Sequence, residues 1–452
     1  MIRANQTGAA SISRLILAIA LPAMLTNVAT ALFGLADMWT IGRLGDAAAQ
    51  GGVEIGAKLL MALLTVFNFL RSSTIALTAQ AAGRDDADAQ ARTLVRAGGV
   101  ALAIAVLVFA AEPLVLSFGL DLFGARAGVA VLARQYVEIR YWSALPWLLN
   151  AVLTGWLIGQ RRVRSVLAVE VGSNLLHITL DVGLVLGLKL GVAGVAAATL
   201  TSETAKFLAL AIIAAGQPAA AMALRIAPSR ATWAWDEVGK LLRLNRDLFC
   251  RTLLLMAATV MLTRAGASQG AVVLSANAIL YQLFMLSALL IDGFESSAQV
   301  LCGEALGAGR REEFRRLIRV ILAWAWGAAL LIALVYAVLG RELAASFSTA
   351  PAVIATVRRY IGWAIVMPLV GATSFVFDGV FIGSSWTRAM LLSMAAALAG
   401  FLIALWLLRA TGNDGLWLAF SLFFVLRAAV QAALAPKLLR RSFADPRPLE
   451  AA

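Results

Sequence analysis

Residues 155–162 read GWLIGQRR, and residues 379–386, which lie 224 positions later, read GVFIGSSW. This offset places Gly155 on Gly379 and Gly159 on Gly383. Three more glycine pairs recur at the same offset, with three arginine pairs and one tyrosine pair: Gly42/Gly266, Gly83/Gly307, Gly191/Gly415, Arg92/Arg316, Arg134/Arg358, Arg164/Arg388 and Tyr136/Tyr360. Repetition at one fixed period indicates that the two halves of the chain are built on one plan.

The composition is that of a membrane protein, because 61% of the residues are apolar and only 14% are charged. Apolar runs of about 20 residues, the length of a membrane-spanning helix, recur along the whole chain. They predict twelve transmembrane helices, six in each half: 14–42, 52–82, 93–117, 134–158, 164–188, 192–215, 248–266, 271–302, 317–340, 355–383, 388–409 and 415–435. An even number of spans gives both halves the same orientation, so we predict an all-α polytopic protein with two parallel six-helix repeats.

The sequence also predicts a polar connection and a tail. The connection contains Trp235 beside Glu237 and Lys240, a pattern typical of an amphipathic helix at a membrane surface. The tail contains Pro446 and Pro448 and is expected to be disordered. The predicted boundaries are 1–215 for the N-terminal six-helix lobe, 216–246 for the cytoplasmic linker, 247–436 for the C-terminal six-helix lobe and 437–452 for the cytoplasmic tail.

The basic residues predict the orientation, because short cytoplasmic loops retain Lys and Arg. With both termini in the cytoplasm, the inner segments hold basic groups such as those at 161–164 and 310–316. The net charge of +13 then follows from topology and from anionic lipids at the cytoplasmic face. Nucleic-acid binding is not expected of basic residues dispersed through loops. Cys250 and Cys302 lie in apolar spans, so neither a disulfide nor a metal cluster is predicted.

Ionisable side chains inside the predicted spans are the main functional candidates, since each costs roughly 3 kcal/mol to insert. For each one the alternative is a structural role, as a cap or as a partner of a buried arginine such as Arg71, Arg140 or Arg251. The candidates are Asp37, Asp181, Glu203, Asp292, Glu295 and Asp378.

The fifth predicted span carries the most specific pattern. Asn174, His177 and Asp181 are spaced i, i+3 and i+7 and therefore share one helical face. Such a stripe faces protein or water, and Asp37 of the same half is the group that we expect it to meet. Carboxylates that share a low-dielectric site favour proton uptake, which is the chemistry of a proton-coupled carrier. The alternative for a lone histidine is a hydrogen-bonding contact between helices.

Two prolines lie inside predicted spans. Pro22 in the first span and Pro146 in the fourth each remove one backbone hydrogen bond and favour a kink. The first span is therefore able to bend. A static kink that serves only packing is the alternative.

The chain resembles the multidrug and toxic compound extrusion (MATE) transporters of the bacterial, DNA-damage-inducible (DinF-like) branch over essentially its whole length. Each motif alone is weak, and together they are specific. They are DMWTIGRLG at 37–45, FLRSSTIALTAQAAG at 69–83, GWLIGQRR at 155–162, HITLDVGLVLGLKLGVAGVAAAT at 177–199, CRTLLL at 250–255, IDGFESSAQVLCGEALGAG at 291–309 and FDGVFIGSSWTRA at 377–389.

The resemblance implies two six-helix lobes around a V-shaped cleft and cation-coupled drug export by alternating access. It implies a monomer in the bacterial inner membrane that uses a coupling ion and no cofactor. By matched motif, Asp37 and Asp181 inherit the coupling role, Thr199 is a polar member of the same pocket, and Pro22 is the conformational hinge.

His177 departs from the family pattern, since relatives commonly have Asn at this position. An amide oxygen is able to ligate sodium, whereas neutral imidazole is a poor ligand for a hard cation. The substitution favours protons as the coupling ion, with a sodium-coupled drug antiporter as the alternative.

The second half supplies the candidates for contacting small organic substrates, which are expected to be cationic or amphipathic. The acids Asp292, Glu295 and Asp378 are expected to recognise substrate or to form a second relay. An adaptable apolar lining, with packing against lipid or core as the alternative, is expected of Met256, Met261, Phe284 and Met285.

Three other functions compete with drug export. A lipid-linked precursor flippase of related architecture would favour a cleft rich in arginine, and the matched acids of the first half argue against it. A membrane-embedded enzyme would need a reactive constellation, yet the sequence offers one histidine and no paired nucleophile and base. A purely structural membrane protein would leave the intramembrane acids unexplained.

Overall fold

The computed structural model describes residues 9–122 and 127–444, and within these ranges the chain forms sixteen α-helices and no strand. The helices are α1 (Ala9–Gly42), α2 (Ala47–Thr65), α3 (Phe69–Gly83), α4 (Ala87–Ala110), α5 (Glu112–Leu122), α6 (Ala127–Arg140), α7 (Ala144–Gly159), α8 (Val163–Asp181), α9 (Gly191–Ala215), α10 (Pro218–Ile226), α11 (Trp235–Ala267), α12 (Ala271–Gly307), α13 (Arg311–Ala345), α14 (Pro351–Gly383), α15 (Thr387–Leu407) and α16 (Gly412–Ala444).

Eleven helical stretches in the described ranges are long and apolar enough to cross a membrane, and they correspond to eleven of the twelve predicted spans. The remaining span is 134–158. Like the span at 52–82, which the 3₁₀ turn Val66–Asn68 divides into α2 and α3, it is not one continuous helix. A 3₁₀ turn, Tyr141–Ser143, separates α6 from α7. The turn lies directly before Pro146, which has no N–H to donate to the carbonyl of Trp142. The predicted kink is therefore a break between two helices.

The chain packs into two compact units. The N-unit comprises Leu25–Leu242, and the C-unit comprises Met1–Met24 together with Arg243–Ala452. The boundary between Met24 and Leu25 falls inside α1, two residues after Pro22. In the C-unit, the first part of α1 lies against α12, where the hydroxyl of Ser297 donates a hydrogen bond of 3.0 Å to the carbonyl of Ile16. The two parts of α1 thus have different packing partners.

The internal repeat is visible in how glycines pack. In the N-unit, a Cβ atom at Gly155 of α7 would lie 2.5 Å from the carbonyl oxygen of Arg71 on α3. In the C-unit, a Cβ atom at Gly379 of α14 would overlap the carbonyl oxygen of Glu295 on α12. Arg71 and Glu295 are themselves 224 positions apart. The same close helix contact, which needs a small residue, is therefore formed at equivalent positions of the two halves.

Two segments are more helical than the sequence suggested. The amphipathic part of the linker is not a separate helix, because α11 begins at Trp235 and continues to Ala267. At the other end, α16 extends to Ala444, eight residues into the predicted tail. Contacts stabilise this extension, since the ring of Phe443 packs against Phe314 and the indole of Trp386 donates to Ser442 at 3.0 Å. The prolines of the tail lie outside the described residues.

Each unit has its own apolar core. The C-unit core is rich in aromatic side chains, and Phe420, Phe423 and Phe424 of α16 pack edge to face or stacked with one another. The main N-unit core is formed largely by aliphatic side chains of α2, α6 and α9. Polar side chains that lie among these helices are therefore surrounded by a low-dielectric environment.

Candidate functional site

Asp37 of α1 and His177 and Asp181 of α8 form one buried cluster inside the N-unit, which we call the Asp-His-Asp cluster. The Nε2 atom of His177 lies 2.6 Å from Oδ1 of Asp37 and 3.2 Å from Oδ2 of Asp181. His177 and Asp181 are fully buried, and Asp37 is 3% exposed. The structure therefore brings together three residues that the sequence suggested for one site.

A hydrogen bond joins His177 to Asp37. When Asp37 is ionised its carboxylate only accepts hydrogen bonds, and the Nε2 atom of the imidazole is then the donor of this bond. Asp181 lies 3.2 Å from the same nitrogen atom, and its carboxylate has no other hydrogen-bond partner within the described residues. Both carboxylates therefore lie against the same nitrogen atom of the imidazole.

The backbone changes its winding at Asp181. Helix α8 ends there and continues as a π-helical turn, Val182–Gly187, in which the amide of Leu188 donates to the carbonyl of Gly183 at 2.9 Å. Such turns are rare and are frequent at functional sites. The wider turn begins at the residue that carries the second carboxylate of the cluster.

Helix α9 closes the other side of the cluster. The hydroxyl of Ser202 lies 3.3 Å from Nδ1 of His177. Thr199, which the family motif places in the pocket, is buried one turn earlier and donates its hydroxyl to the carbonyl of Val195 in its own helix. On α8, Asn174 has a buried Nδ2 atom that makes no hydrogen bond within the described residues. Direct contact with the imidazole from α9 thus comes from Ser202, which the sequence reasoning missed.

A cationic side chain from α6 acts on the same cluster. Arg140 donates a hydrogen bond to the hydroxyl of Tyr136, and its guanidinium lies 5.4 Å from the centre of that ring. Both residues interact electrostatically with Asp37. Arg140 therefore offsets part of the negative charge that the two aspartates place in this part of the N-unit.

A second polar network lies nearer the start of α8. Lys206 of α9 forms an ion pair of 2.7 Å with Glu170, and the hydroxyl of Thr30 on α1 lies 3.0 Å from the other carboxylate oxygen of Glu170. Glu203, which is also on α9, accepts a hydrogen bond of 2.8 Å from Asn150 of α7. Polar contacts outside the Asp-His-Asp cluster thus link α1 and α9 to α8, and α7 to α9.

A family model described as MatE matches residues 22–183 and, a second time, residues 247–408. The two matches begin 225 residues apart (247 minus 22), close to the period of the glycine repeat, and they cover more than half of the chain. The chain belongs to the MATE family. It is therefore a multi-pass membrane transporter for the efflux of small organic compounds, and not an enzyme.

Several known proteins are similar to this chain over most of its length. The "DNA damage-inducible protein F" of Escherichia coli (strain K12) is 35% identical over 418 residues, which are 92% of this chain and 90% of that protein. The "Probable multidrug resistance protein NorM" of Rhizobium meliloti (strain 1021) is 25% identical over 91% of this chain and 90% of its own length. A solved structure of the Vibrio cholerae MATE transporter VcmN in the bent form matches with a TM-score of 0.85 and 20% identity, covering 97% of this chain and 99% of that one. The fold is the twelve-helix fold of MATE transporters.

In the C-unit of this MATE transporter, Asp378 is already neutralised. Its carboxylate forms ion pairs with Arg251 and Arg427, the latter at 3.0 Å, and accepts a hydrogen bond of 2.7 Å from Gln431. Asp378 and Gln431 are fully buried, and Arg427 is 1% exposed. The structure thus contains the ion pair with Arg251 that the sequence analysis gave as the alternative for this acid. Arg427, which the sequence reasoning missed, also pairs with it.

The other two C-unit acids lie one helix away on α12. Glu295 is 8% exposed and accepts a hydrogen bond of 3.1 Å from Gln299. Asp292 is half-buried, and both acids interact electrostatically with Arg251. Unlike Asp378, Glu295 forms no close ion pair with an arginine or lysine within the described residues.

The apolar candidates of the C-unit divide into two groups. Phe284 is buried in the aromatic core, and Met261 and Met285 pack against that core. Met256 differs, since 40% of its surface is exposed. Packing, the alternative considered from the sequence, thus accounts for the position of three of these four side chains.

The residues that sequence reasoning missed had signals in the sequence. Glu170 lies four residues before Asn174 and so extends the polar stripe of α8 by about one turn. Ser202 lies three residues after Thr199, on the same face of α9. Arg427 is a charged residue inside the last predicted span, which is the same signal that Arg251 gives in the seventh span.

Proposed function

We propose that this MATE transporter is a proton/drug antiporter in which the Asp-His-Asp cluster holds the coupling proton. The observation that carries the proposal is the placement of one imidazole nitrogen between two buried carboxylates, at 2.6 Å from Asp37 and 3.2 Å from Asp181. We place the protein in the bacterial inner membrane with both termini in the cytoplasm. Its exported substrates are expected to be cationic or amphipathic organic compounds.

The charge of the cluster supports proton binding. With a neutral imidazole and two ionised carboxylates, the three side chains carry a charge of about −2 in a low-dielectric environment, which is strongly unfavourable. One proton on His177 lowers the net charge to about −1, and a second proton on either aspartate neutralises the cluster. Arg140 offsets part of the remaining charge. Proton uptake and release therefore change the local energy by a large amount.

The spacing of the donor atoms favours a proton over a metal ion. The 2.6 Å between Nε2 of His177 and Oδ1 of Asp37 is a hydrogen-bond distance. Two ligands of a tetrahedral ion, each about 2.1 Å from the metal, lie roughly 3.4 Å apart. Sodium prefers oxygen ligands, and an imidazole nitrogen occupies the centre of this cluster. The alternative of sodium coupling is therefore less well supported.

We also propose that α1 bends at Pro22. Pro22 interrupts the hydrogen bonding of this helix, and the packing of α1 changes from the C-unit to the N-unit two residues later. Protonation of Asp37 removes the charge that holds its bond to His177, so the part of α1 after Pro22 is freed to move. Substrate release and proton binding then favour different states, which is the basis of coupling.

Roles in substrate binding are proposed for two of the C-unit acids. Two arginines already neutralise Asp378, so we expect a mainly structural role there. Asp292 and Glu295 lie three residues apart on α12 and interact electrostatically with each other, and the combined charge of the two acids attracts a cationic substrate.

The test imposes the two ion gradients separately on everted membrane vesicles. A pH gradient alone should drive transport of a fluorescent organic cation by the wild type, and a sodium gradient alone should not. Asp37→Asn should abolish the pH-driven signal, while Asp121→Asn, which changes an exposed acid of the same unit, should retain it. Transport driven only by sodium, or full activity of Asp37→Asn, would overturn the proposal.

A further inference from the structure

The hydroxyl of Ser202 has two neighbours at hydrogen-bonding distance. Its Oγ atom lies 3.3 Å from Nδ1 of His177 and 3.0 Å from the backbone carbonyl of Thr199. Ser202 and His177 are both fully buried, so bulk water does not replace either contact. A hydroxyl has one proton to donate and accepts at its lone pairs, so it bonds to the imidazole either as donor or as acceptor.

The two options correspond to the two charge states of His177. In the neutral imidazole, Nε2 donates to Asp37 and Nδ1 is an acceptor, so that Ser202 donates to Nδ1. In the imidazolium, Nδ1 also carries a proton, and Ser202 accepts it while turning its own proton to the carbonyl of Thr199. Rotation of one hydroxyl therefore satisfies both nitrogen atoms in both states without any movement of heavy atoms.

We propose that Ser202 is a positioning residue that allows His177 to carry the coupling proton reversibly. This inference rests on the proposed proton coupling. It assigns to Ser202 the hydrogen bond that stabilises the charged imidazole in a buried site. Without an acceptor at Nδ1, the imidazolium would have a buried, unpaired N–H group, which is costly. Ser202 removes that cost and leaves the neutral state equally well bonded.

In the described part of the chain, the charged neighbours of His177 lie nearest to its other nitrogen atom or to Asp37. Asp37 from α1 is bonded at Nε2, on the opposite side of the ring from Nδ1. Asp181 from α8 also lies nearest to Nε2, at 3.2 Å. Tyr136 and Arg140 from α6 interact with Asp37 and form a hydrogen bond with each other. These groups bias the charge of His177, whereas Ser202 contacts the nitrogen atom whose protonation changes.

Removal of the hydroxyl should leave the packing of α8 against α9 intact. The hydroxyl of Ser173 on α8 donates to the backbone carbonyl of Ser202 at 3.2 Å, and this bond does not need the Ser202 side chain. Ser202→Ala is therefore expected to fold. Ser202→Thr retains the hydroxyl, and Thr204→Ala removes a hydroxyl of α9 that bonds only within its own helix, which makes it the matched control.

The first measurement is the pH profile of transport in vesicles. Ser202→Ala should move the midpoint of the profile to lower pH by about one unit or more, because the charged imidazole loses its acceptor. Ser202→Thr should restore the wild-type midpoint, and Thr204→Ala should leave it unchanged. A wild-type profile for Ser202→Ala in a transporter that is driven by pH would overturn the inference and leave proton coupling in place.

The second measurement does not depend on transport. His177 is the one histidine of the chain, so ¹⁵N-histidine labelling gives the signals of a single imidazole in the whole protein. The inference predicts that Nδ1 of the wild type gains and loses a proton as pH changes, and that this transition moves to lower pH in Ser202→Ala. An Nδ1 signal that does not titrate between pH 5 and 9, or that titrates identically in both proteins, would overturn it. A titrating Nδ1 in a protein that a pH gradient does not drive would instead contradict the proposed function.

Discussion

The hydroxyl of Thr30 lies 3.0 Å from a carboxylate oxygen of Glu170. Like the contact between Asp37 and His177, this contact joins α1 to α8. Thr30 precedes Asp37 by seven residues on α1, and Glu170 precedes His177 by seven residues on α8. Seven residues of α-helix span about 10 Å. Helices α1 and α8 are thus joined at two polar contacts with the same spacing, of which only one includes the Asp-His-Asp cluster.

The ion pair behind the lower contact should be needed for stability. Glu170→Ala leaves the ammonium of Lys206 without its partner at 2.7 Å, and we expect a loss of about 3 kcal/mol in the free energy of unfolding. The double variant Glu170→Leu with Lys206→Met replaces both charges by apolar groups and should lose less than about 1 kcal/mol. Denaturant unfolding in detergent, followed by tryptophan fluorescence, measures both. Equal losses in the single and the double variant would show that the unpaired charge of Lys206 is not the cause of the destabilisation.

Much of the fold follows from the sequence, because the length and spacing of apolar runs determine how many helices cross a membrane. The five recurring glycine pairs also indicate the duplication from the sequence alone. The break before Pro146 was harder to foresee, since a proline inside a span either bends a helix or ends it, depending on the neighbouring packing. The extension of α16 depends on contacts of Phe443 that are distant in sequence.

The site was only partly predictable, and the equivalent positions of the two halves show why. Arg71 is equivalent to Glu295, and Glu203 is equivalent to Arg427, so both positions carry opposite charges in the two halves. At Arg71 and Glu295 the close backbone contact with a glycine is the same in both halves while the charges differ. Periodicity placed His177 and Asp181 on one face, but it does not reveal which residue of α9 lies opposite. The position of Ser202 on the face of Thr199 is visible in the sequence, but its contact with Nδ1 of His177 is visible only in the packed helices.

The glycine contact of the repeat should be sensitive to one added methyl group. Gly379→Ala on α14 would force a Cβ atom into the backbone carbonyl of Glu295, and we expect a loss of about 1–3 kcal/mol in stability. Gly362→Ala on the same helix is the matched control, because nothing lies within 4 Å of its added Cβ atom. Thermal unfolding of the two purified variants in detergent makes the comparison. A loss of the same size at both positions would argue against close packing at Gly379.

Asp378 should matter more for folding than an exposed acid does. Asp378→Asn leaves Arg251 and Arg427 as two positive charges beside a neutral amide in a buried site, and we expect destabilisation by about 3 kcal/mol. Asp414→Asn is the control, since Asp414 accepts a hydrogen bond from Trp363 at an exposed position and should lose less than about 1 kcal/mol. Folded yield and melting temperature in detergent distinguish the two. A fully stable Asp378→Asn that fails to bind a fluorescent cation would instead assign the acid to substrate recognition.

His177 should determine which ion drives transport. His177→Asn removes the imidazole between Asp37 and Asp181 and supplies an amide oxygen, which is a suitable ligand for sodium. We expect transport driven by a pH gradient to fall at least about tenfold, because the proton then has to bind a carboxylate that lacks its imidazole partner. Transport driven by a sodium gradient should appear or increase in the same vesicles. His177→Gln, which places its amide one bond further from the backbone, is the control for the loss of the ring alone and should not gain sodium-driven transport. Unchanged pH-driven transport in both variants would show that the carboxylates bind the coupling proton without the imidazole.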